Sequence, residues 1–140
     1  DRGFYDVGQL SRKPFVASHS DARALTEHNR NLSDDMLKIL AEKGGVIGIN
    51  FESEFLGNGG GIEIIVNHIK HIKRVAGVEA IAVGTDFDGS NPRTELKHIG
   101  EMGLLFEALR KEGFSKKEIE YIGYKNVLRV IGDALCAKGH

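Results

Sequence analysis

One hundred and forty residues, with 19 Lys and Arg against 20 Asp and Glu, carry a formal charge of −1. That length suits one ordinary domain, and the charge balance excludes a basic nucleic-acid footprint and an acidic tail. The 41% apolar fraction sustains a packed core, and the single cysteine, Cys136, excludes a disulfide framework and every multi-cysteine zinc motif.

The chain opens on Asp1-Arg2-Gly3-Phe4-Tyr5, charged and aromatic from its first residue, and reads like the interior of a longer protein. No charged n-region followed by an apolar h-region precedes the first element, and no apolar run approaches the roughly 18 residues of a membrane span. The expected location is therefore cytoplasmic, with no membrane segment and no nucleic-acid partner. Residues 1–140 form a single expected domain, with 136–140 set aside as a disordered or tag-derived tail.

Phe15-Val16-Ala17-Ser18-His19-Ser20, placed after Pro14, predicts a buried strand. Ser33 is a suitable N-cap for a helix with Asp34 and Asp35 in its first turn and Gly44 as its stop. Gly45 to Phe51 is a second strand. Ile62, Ile65, Val66, Ile69, Ile72 and Ala76 recur at helical spacing on one stripe that ends before Gly77. Ala80 to Phe87 is a third strand. Leu96, Ile99, Leu105 and Leu109 predict a helix closing near Gly113, and Ser115-Lys116-Lys117-Glu118 is a capping box starting a last helical region that reaches about Leu135. The three strands are nearly continuous in apolar character, as in parallel sheets covered on both faces, and their alternation with helices predicts βαβ crossovers. The fold class is α/β.

Polar residues gather at the strand ends: His19 and Ser20, then Asn50, then Asp86 and Asp88. Parallel α/β folds bind ligands beyond those ends. An imidazole fixed on a strand is a natural metal ligand, although His19 alone is equally a histidine satisfied by hydrogen bonds. Asp86 and Asp88 share a face if the chain stays extended, where they can bind metal or move a proton; the alternative is an Asx-type turn. Arg30, in the loop before the Ser33 helix, is either a bidentate clamp for a carboxylate or a solvated surface charge. The glycine-rich stretch Leu56 to Gly61 fails both phosphate-binding fingerprints and reads as a flexible loop or lid. His68 and His71 fall at the border of the Ile stripe and opposite it, so the expectation is a solvated position without a metal role. His98 has no partner in the pattern, and Cys136 has no adjacent base to make it a nucleophile.

Taken in order, Phe15 to Ser20, Arg30-Asn31-Leu32-Ser33-Asp34-Asp35, His68-Ile69-Lys70-His71-Ile72, Gly84-Thr85-Asp86-Phe87-Asp88-Gly89 and Asn126-Val127-Leu128-Arg129-Val130 resemble the renal (membrane) dipeptidase family. The resemblance covers essentially the whole chain. It implies a (β/α)8 barrel of the zinc metallopeptidase type that hydrolyses dipeptides, often with a D-residue on the C-terminal side. A barrel of that kind needs about 250 residues, so this chain resembles the C-terminal portion, with about three parallel strands and their helices. The family's site holds two Zn2+ ions, bridged by a Glu and bound by a His-x-Asp pair and two later histidines. His19 matches the last of those histidines, Arg30 the arginine on the substrate's C-terminal carboxylate, and Asp86 the acidic residue that assists proton transfer. The other ligands have no counterpart here. Where some members carry a substrate-contacting Tyr after the second of these strands, this sequence has Phe55, which bears on substrate preference. The resemblance thus implies dipeptide substrates, an incomplete zinc site in this chain, and open sheet edges that favour a homo-oligomer. The alternatives are another amide or ester hydrolase on the same barrel, or a non-catalytic fragment that self-associates.

Overall fold

Phe15, Val46–Ile49 and Ile81 mark where apolar, β-branched runs become the strands of one sheet in the computed structural model, which describes residues 1–57, 60–90, 92 and 94–136. Strands β1 (Val16–Ser20), β2 (Val46–Ile49) and β3 (Ile81–Val83) lie side by side in sequence order, both pairs parallel. Only the central strand is buried along its whole length; Val16 on β1 is half exposed, so the expectation of strands covered on both faces applies to β2. Parallel pairing demands crossovers, and helices supply them.

Helix α1 spans Arg2–Leu10 and was not signalled by the charged opening of the sequence; Phe4 packs edge-on against Phe15 and docks it. Helix α2 (Asp34–Glu42) starts as expected, with the Ser33 hydroxyl accepting from the Met36 N–H. A single helical turn, α3 (Ser53–Leu56), stands just before the stretch expected to be loop and shares only Leu56 with it, and helix α4 (Ile62–Ala76) follows. Of the expected lid, Asn58 and Gly59 lie outside the described residues. Helix α5 covers Met102–Lys111 after a 3-10 turn at Ile99–Glu101, leaving Leu96 buried but outside the helix. Helix α6 (Lys116–Glu120) opens on the complete Ser115–Glu118 capping box. It runs through one wide turn of π geometry (Tyr121–Lys125) into helix α7 (Asn126–Leu135).

The main core lies between one sheet face and helices α2, α4 and α5, with Leu37, Leu40, Ile47, Ile49, Ile65, Ile69, Ile72, Ile81 and Leu105 fully buried. Each such side chain contributes about 1.5–3 kcal/mol of burial free energy. A smaller cluster, Val46, Ala82 and Val130, seats α7 on the opposite face. Arg129 donates to the Gly44 and Glu79 carbonyls, tying α7 to the end where strands begin and leaving their C-terminal ends clear. No helix among the described residues is long and apolar enough to cross a membrane.

Candidate active site at the strand ends

Because all three strands are parallel, His19, Asn50 and Asp86 lie toward one edge of the sheet, as their sequence positions require. Two local features shape that edge. Between Ala17 and Ser20 the first strand advances three residues while its partner advances two, from Ile47 to Ile49. The extra residue resets the in–out alternation at His19, as bulges beside active sites do. In addition, a Cβ at Gly48 or at Gly84 would collide with the Ser18 carbonyl oxygen. Only glycine lets the backbone of the His19 strand approach β2 and the residue following β3 so closely.

The His19 imidazole is half-buried, and its Nδ1 lies 2.7 Å from the Ser18 hydroxyl. Backbone pairing continues past β3, where Gly84 N–H donates to Ile49 and Phe51 N–H to Thr85. Asp86 follows immediately and adopts φ 60°, a left-handed conformation that is uncommon without glycine. Such strain persists only where neighbours enforce it. Here Gly89 N–H donates to the Asp86 carbonyl at 3.0 Å, and the Phe87 ring packs edge-on against the fully buried Phe51. The chain therefore turns at Asp86, and the expectation of an extended Asp86/Asp88 pair on one face is corrected: Asp88 is exposed in the turn.

Arg30 is exposed on the loop after β1. Its guanidinium carbon lies 5.2 Å from the centre of the Phe55 ring, and the His28 ring lies 4.5 Å from the same ring. No carboxylate among the described residues pairs with Arg30. A stacked guanidinium with a free edge is suited to receiving a planar anion.

Beneath these groups lies a buried polar layer that the sequence did not reveal. Asp21, Asn31, Asn50 and His68 are all at most 1% exposed. Asn50 Oδ1 accepts from the Glu52 N–H, turning the chain toward α3. Neither Asp21 carboxyl oxygen makes a hydrogen bond within normal geometry among the described residues, and burial pushes this carboxyl up to about 8, the Asn50 backbone amide offsetting only part of the cost.

His68 and His71 are both buried, which overturns their expected solvated position. The reason is that α4 is covered on more than its Ile stripe. The loop after β1 and α3 cover His68, whose Nδ1 accepts from Ala22 N–H at 3.1 Å while Nε2–H donates to the Leu56 carbonyl at 3.0 Å. The first turn of α2 covers His71, which donates to Asp34 at 2.6 Å and accepts from Arg74. His68 is thus a neutral tether, and His71 ties α4 to the first turn of α2. His98 caps the Ile99–Glu101 turn, and Cys136 is exposed.

A metal centre needs several converging donors. Among the described residues no group of three or more His, Cys, Asp or Glu side chains converges in that way. These residues alone do not fit a two-metal site; His19 offers one imidazole.

The model of the membrane dipeptidase family, peptidase family M19, matches residues 1–139. An uncharacterized protein in the pqqA 5′ region of Klebsiella pneumoniae is 33% identical over 137 residues, covering 94% of this chain and 51% of that protein. An uncharacterized dipeptidase of Schizosaccharomyces pombe is 35% identical over 136 residues, covering 92% of this chain and 32% of that protein. Among solved structures, a metallopeptidase from Rhodobacter sphaeroides, liganded with a phosphinate mimic of the dipeptide L-Ala-D-Ala, superposes with a TM-score of 0.89 at 29% identity over 95% of this chain and 40% of that one. The chain thus spans between about a third and about half of the length of each of these three. With the family model matched over nearly every residue and the parallel strand ends arranged as described, the chain belongs to the membrane dipeptidase family, peptidase family M19.

Proposed function

We propose that the protein hydrolyses dipeptides and that residues 1–140 supply one side of the site, with Arg30 as the clamp for the substrate's C-terminal carboxylate. The observation that carries this reading is the exposed Arg30 guanidinium stacked on Phe55 with no carboxylate partner among the described residues. Two parallel N–H···O bonds to a free carboxylate give an affinity and an orientation that a point charge cannot. They also explain a preference for dipeptides, in which the carboxylate lies one residue from the scissile bond.

Hydrolysis adds hydroxide to the carbonyl carbon and a proton to the departing amine. Asp86, fixed at the end of the third strand by its left-handed turn, is the group in this chain we assign to carrying that proton. His19 we assign as one imidazole of a zinc centre whose other ligands are not among the described residues. On this reading the 140-residue chain by itself neither turns over dipeptides nor retains two zinc ions. Its sheet has β1 and β3 as outer strands, and Leu128, Ile131 and Leu135 are exposed on α7, so we further propose that the isolated chain self-associates.

The clamp is tested in the holoenzyme with a dipeptide and the matching dipeptide amide. Arg30→Ala and Arg30→Lys should both weaken the dipeptide, with KM raised about 10–100-fold, and leave the amide nearly unchanged, because only the former presents a carboxylate. Equal losses on both substrates remove the clamp role.

A further inference from the structure

Arg30 sits on a loop and Phe55 on a separate helical turn, yet the two side chains are stacked. Something must fix these elements relative to each other, and the residue beside Arg30 does so. Asn31 is fully buried, and its carboxamide makes three hydrogen bonds to three different places. Oδ1 accepts from the Asp21 N–H at 3.2 Å, where the loop leaves β1. Nδ2 donates to the Thr26 carbonyl at 3.0 Å, in mid-loop, and to the Phe55 carbonyl at 2.7 Å, on α3.

The loop does not need Asn31 in order to close. Leu32 N–H donates to the Asp21 carbonyl and Arg23 N–H to the Leu32 carbonyl, forming a short parallel bridge at its base. Nor does α3 need Asn31 in order to stay attached, since the Leu56 carbonyl accepts from both the Thr26 hydroxyl and His68 Nε2. What Asn31 alone supplies is a bond from the residue next to Arg30 to the backbone of the residue bearing the ring.

We propose that Asn31 is a positioning residue that holds the Arg30 guanidinium over the Phe55 ring and so sets the carboxylate clamp for dipeptides. This rests on the Arg30 reading above. The carboxamide cannot be replaced by its isostere: a carboxylate in Asn31→Asp has no hydrogen to offer and would set negative oxygens against the Thr26 and Phe55 carbonyls.

Two measurements separate this from a general loss of stability. By NMR on the 140-residue chain, the Arg30 side-chain protons should carry an upfield ring-current shift that Phe55→Leu abolishes. Asn31→Asp should remove most of that shift, and Asn31→Gln, which keeps the donors on a longer arm, should remove part of it. Asn126→Asp is the control, because Asn126 is also fully buried and donates to two carbonyls, Val78 and Ile81, but lies at the start of α7. It should lower the melting temperature while leaving the Arg30 shift intact. In the holoenzyme, Asn31→Asp should raise KM for a dipeptide about 10–100-fold with a smaller change in kcat, and change the dipeptide amide little. Asn126→Asp should leave KM unchanged. An Arg30 shift that survives Asn31→Asp or Asn31→Gln unaltered overturns the positioning role, whatever the kinetics. If the shift is lost but Arg30→Ala fails to distinguish dipeptide from amide, the clamp reading is wrong while the positioning of Arg30 by Asn31 stands.

Discussion

His68 offers a quantitative handle on the polar layer under the site. Its two hydrogen bonds require the neutral ring, with the proton on Nε2 for Leu56 and the lone pair on Nδ1 for Ala22. Replacing it in His68→Leu keeps an apolar body but leaves the buried Ala22 N–H without its acceptor. The Leu56 carbonyl retains the Thr26 hydroxyl. One orphaned donor plus one lost hydrogen bond amounts to about 2–4 kcal/mol of lost stability.

The pH dependence supplies a second check. Desolvation first, and the nearby His71 in addition, hold the His68 imidazole below its ordinary 6.5, against the opposing pull of the Leu56 carbonyl. The unfolded chain therefore binds this proton at higher pH than the folded one. Stability from this residue is complete above pH 6.5 and falls as the pH drops toward the folded value. The slope is at most about 1.4 kcal/mol per pH unit. Urea denaturation of the wild-type chain and of His68→Leu at about pH 8 and about pH 5.5 isolates His68 together with its coupling to His71, because titrating groups not coupled to His68 cancel in the difference. The wild type should be the more stable at the higher pH, and its advantage should shrink on acidification. An advantage that stays constant or grows as the pH falls refutes the neutral-tether account.

Asp21 should behave with the opposite sign. Its carboxyl is raised from 3.8 to about 8 by burial, so the stability associated with its protonated form is complete below pH 4 and is lost as the pH rises toward 8. In the metal-free chain, Asp21→Asn should therefore gain on the wild type steadily across that range in urea denaturation; a constant difference would show that the carboxyl is not buried as described. Light scattering on the isolated chain should give a dimer or larger species, and a monodisperse monomer would contradict the edge-strand argument.

What the sequence made legible follows physical period and placement. Ser33 and Ser115 announced their helices because an N-cap acts locally, and the isoleucines of α4 lie at helical spacing because one stripe meets the sheet. His19, Arg30 and Asp86 were legible as candidates because strand ends and their loops are where a parallel sheet presents chemistry. The turn at Asp86 was legible only as the alternative to an extended Asp86/Asp88 pair, because its φ depends on Gly89 and on Phe87 meeting Phe51 from another strand end. The burial of His68 and His71 was hidden. A helical wheel shows the face toward the sheet but not the loop and the α2 turn that cover the flanks of α4. Asn31 gave no signal at all beyond standing next to Arg30, since a loop asparagine looks the same whether it is solvated or joins two elements.

The central claim is that this chain carries one side of a metal-dependent dipeptide site and not the whole. The most direct test measures zinc by mass spectrometry after exhaustive dialysis of the 140-residue chain, with dipeptide turnover assayed on the same sample. With a single matched ligand, His19, and no converging donor group among the described residues, the account predicts well under one tightly held zinc ion per chain and no turnover. About two retained zinc ions per chain, with zinc-dependent hydrolysis, would contradict it.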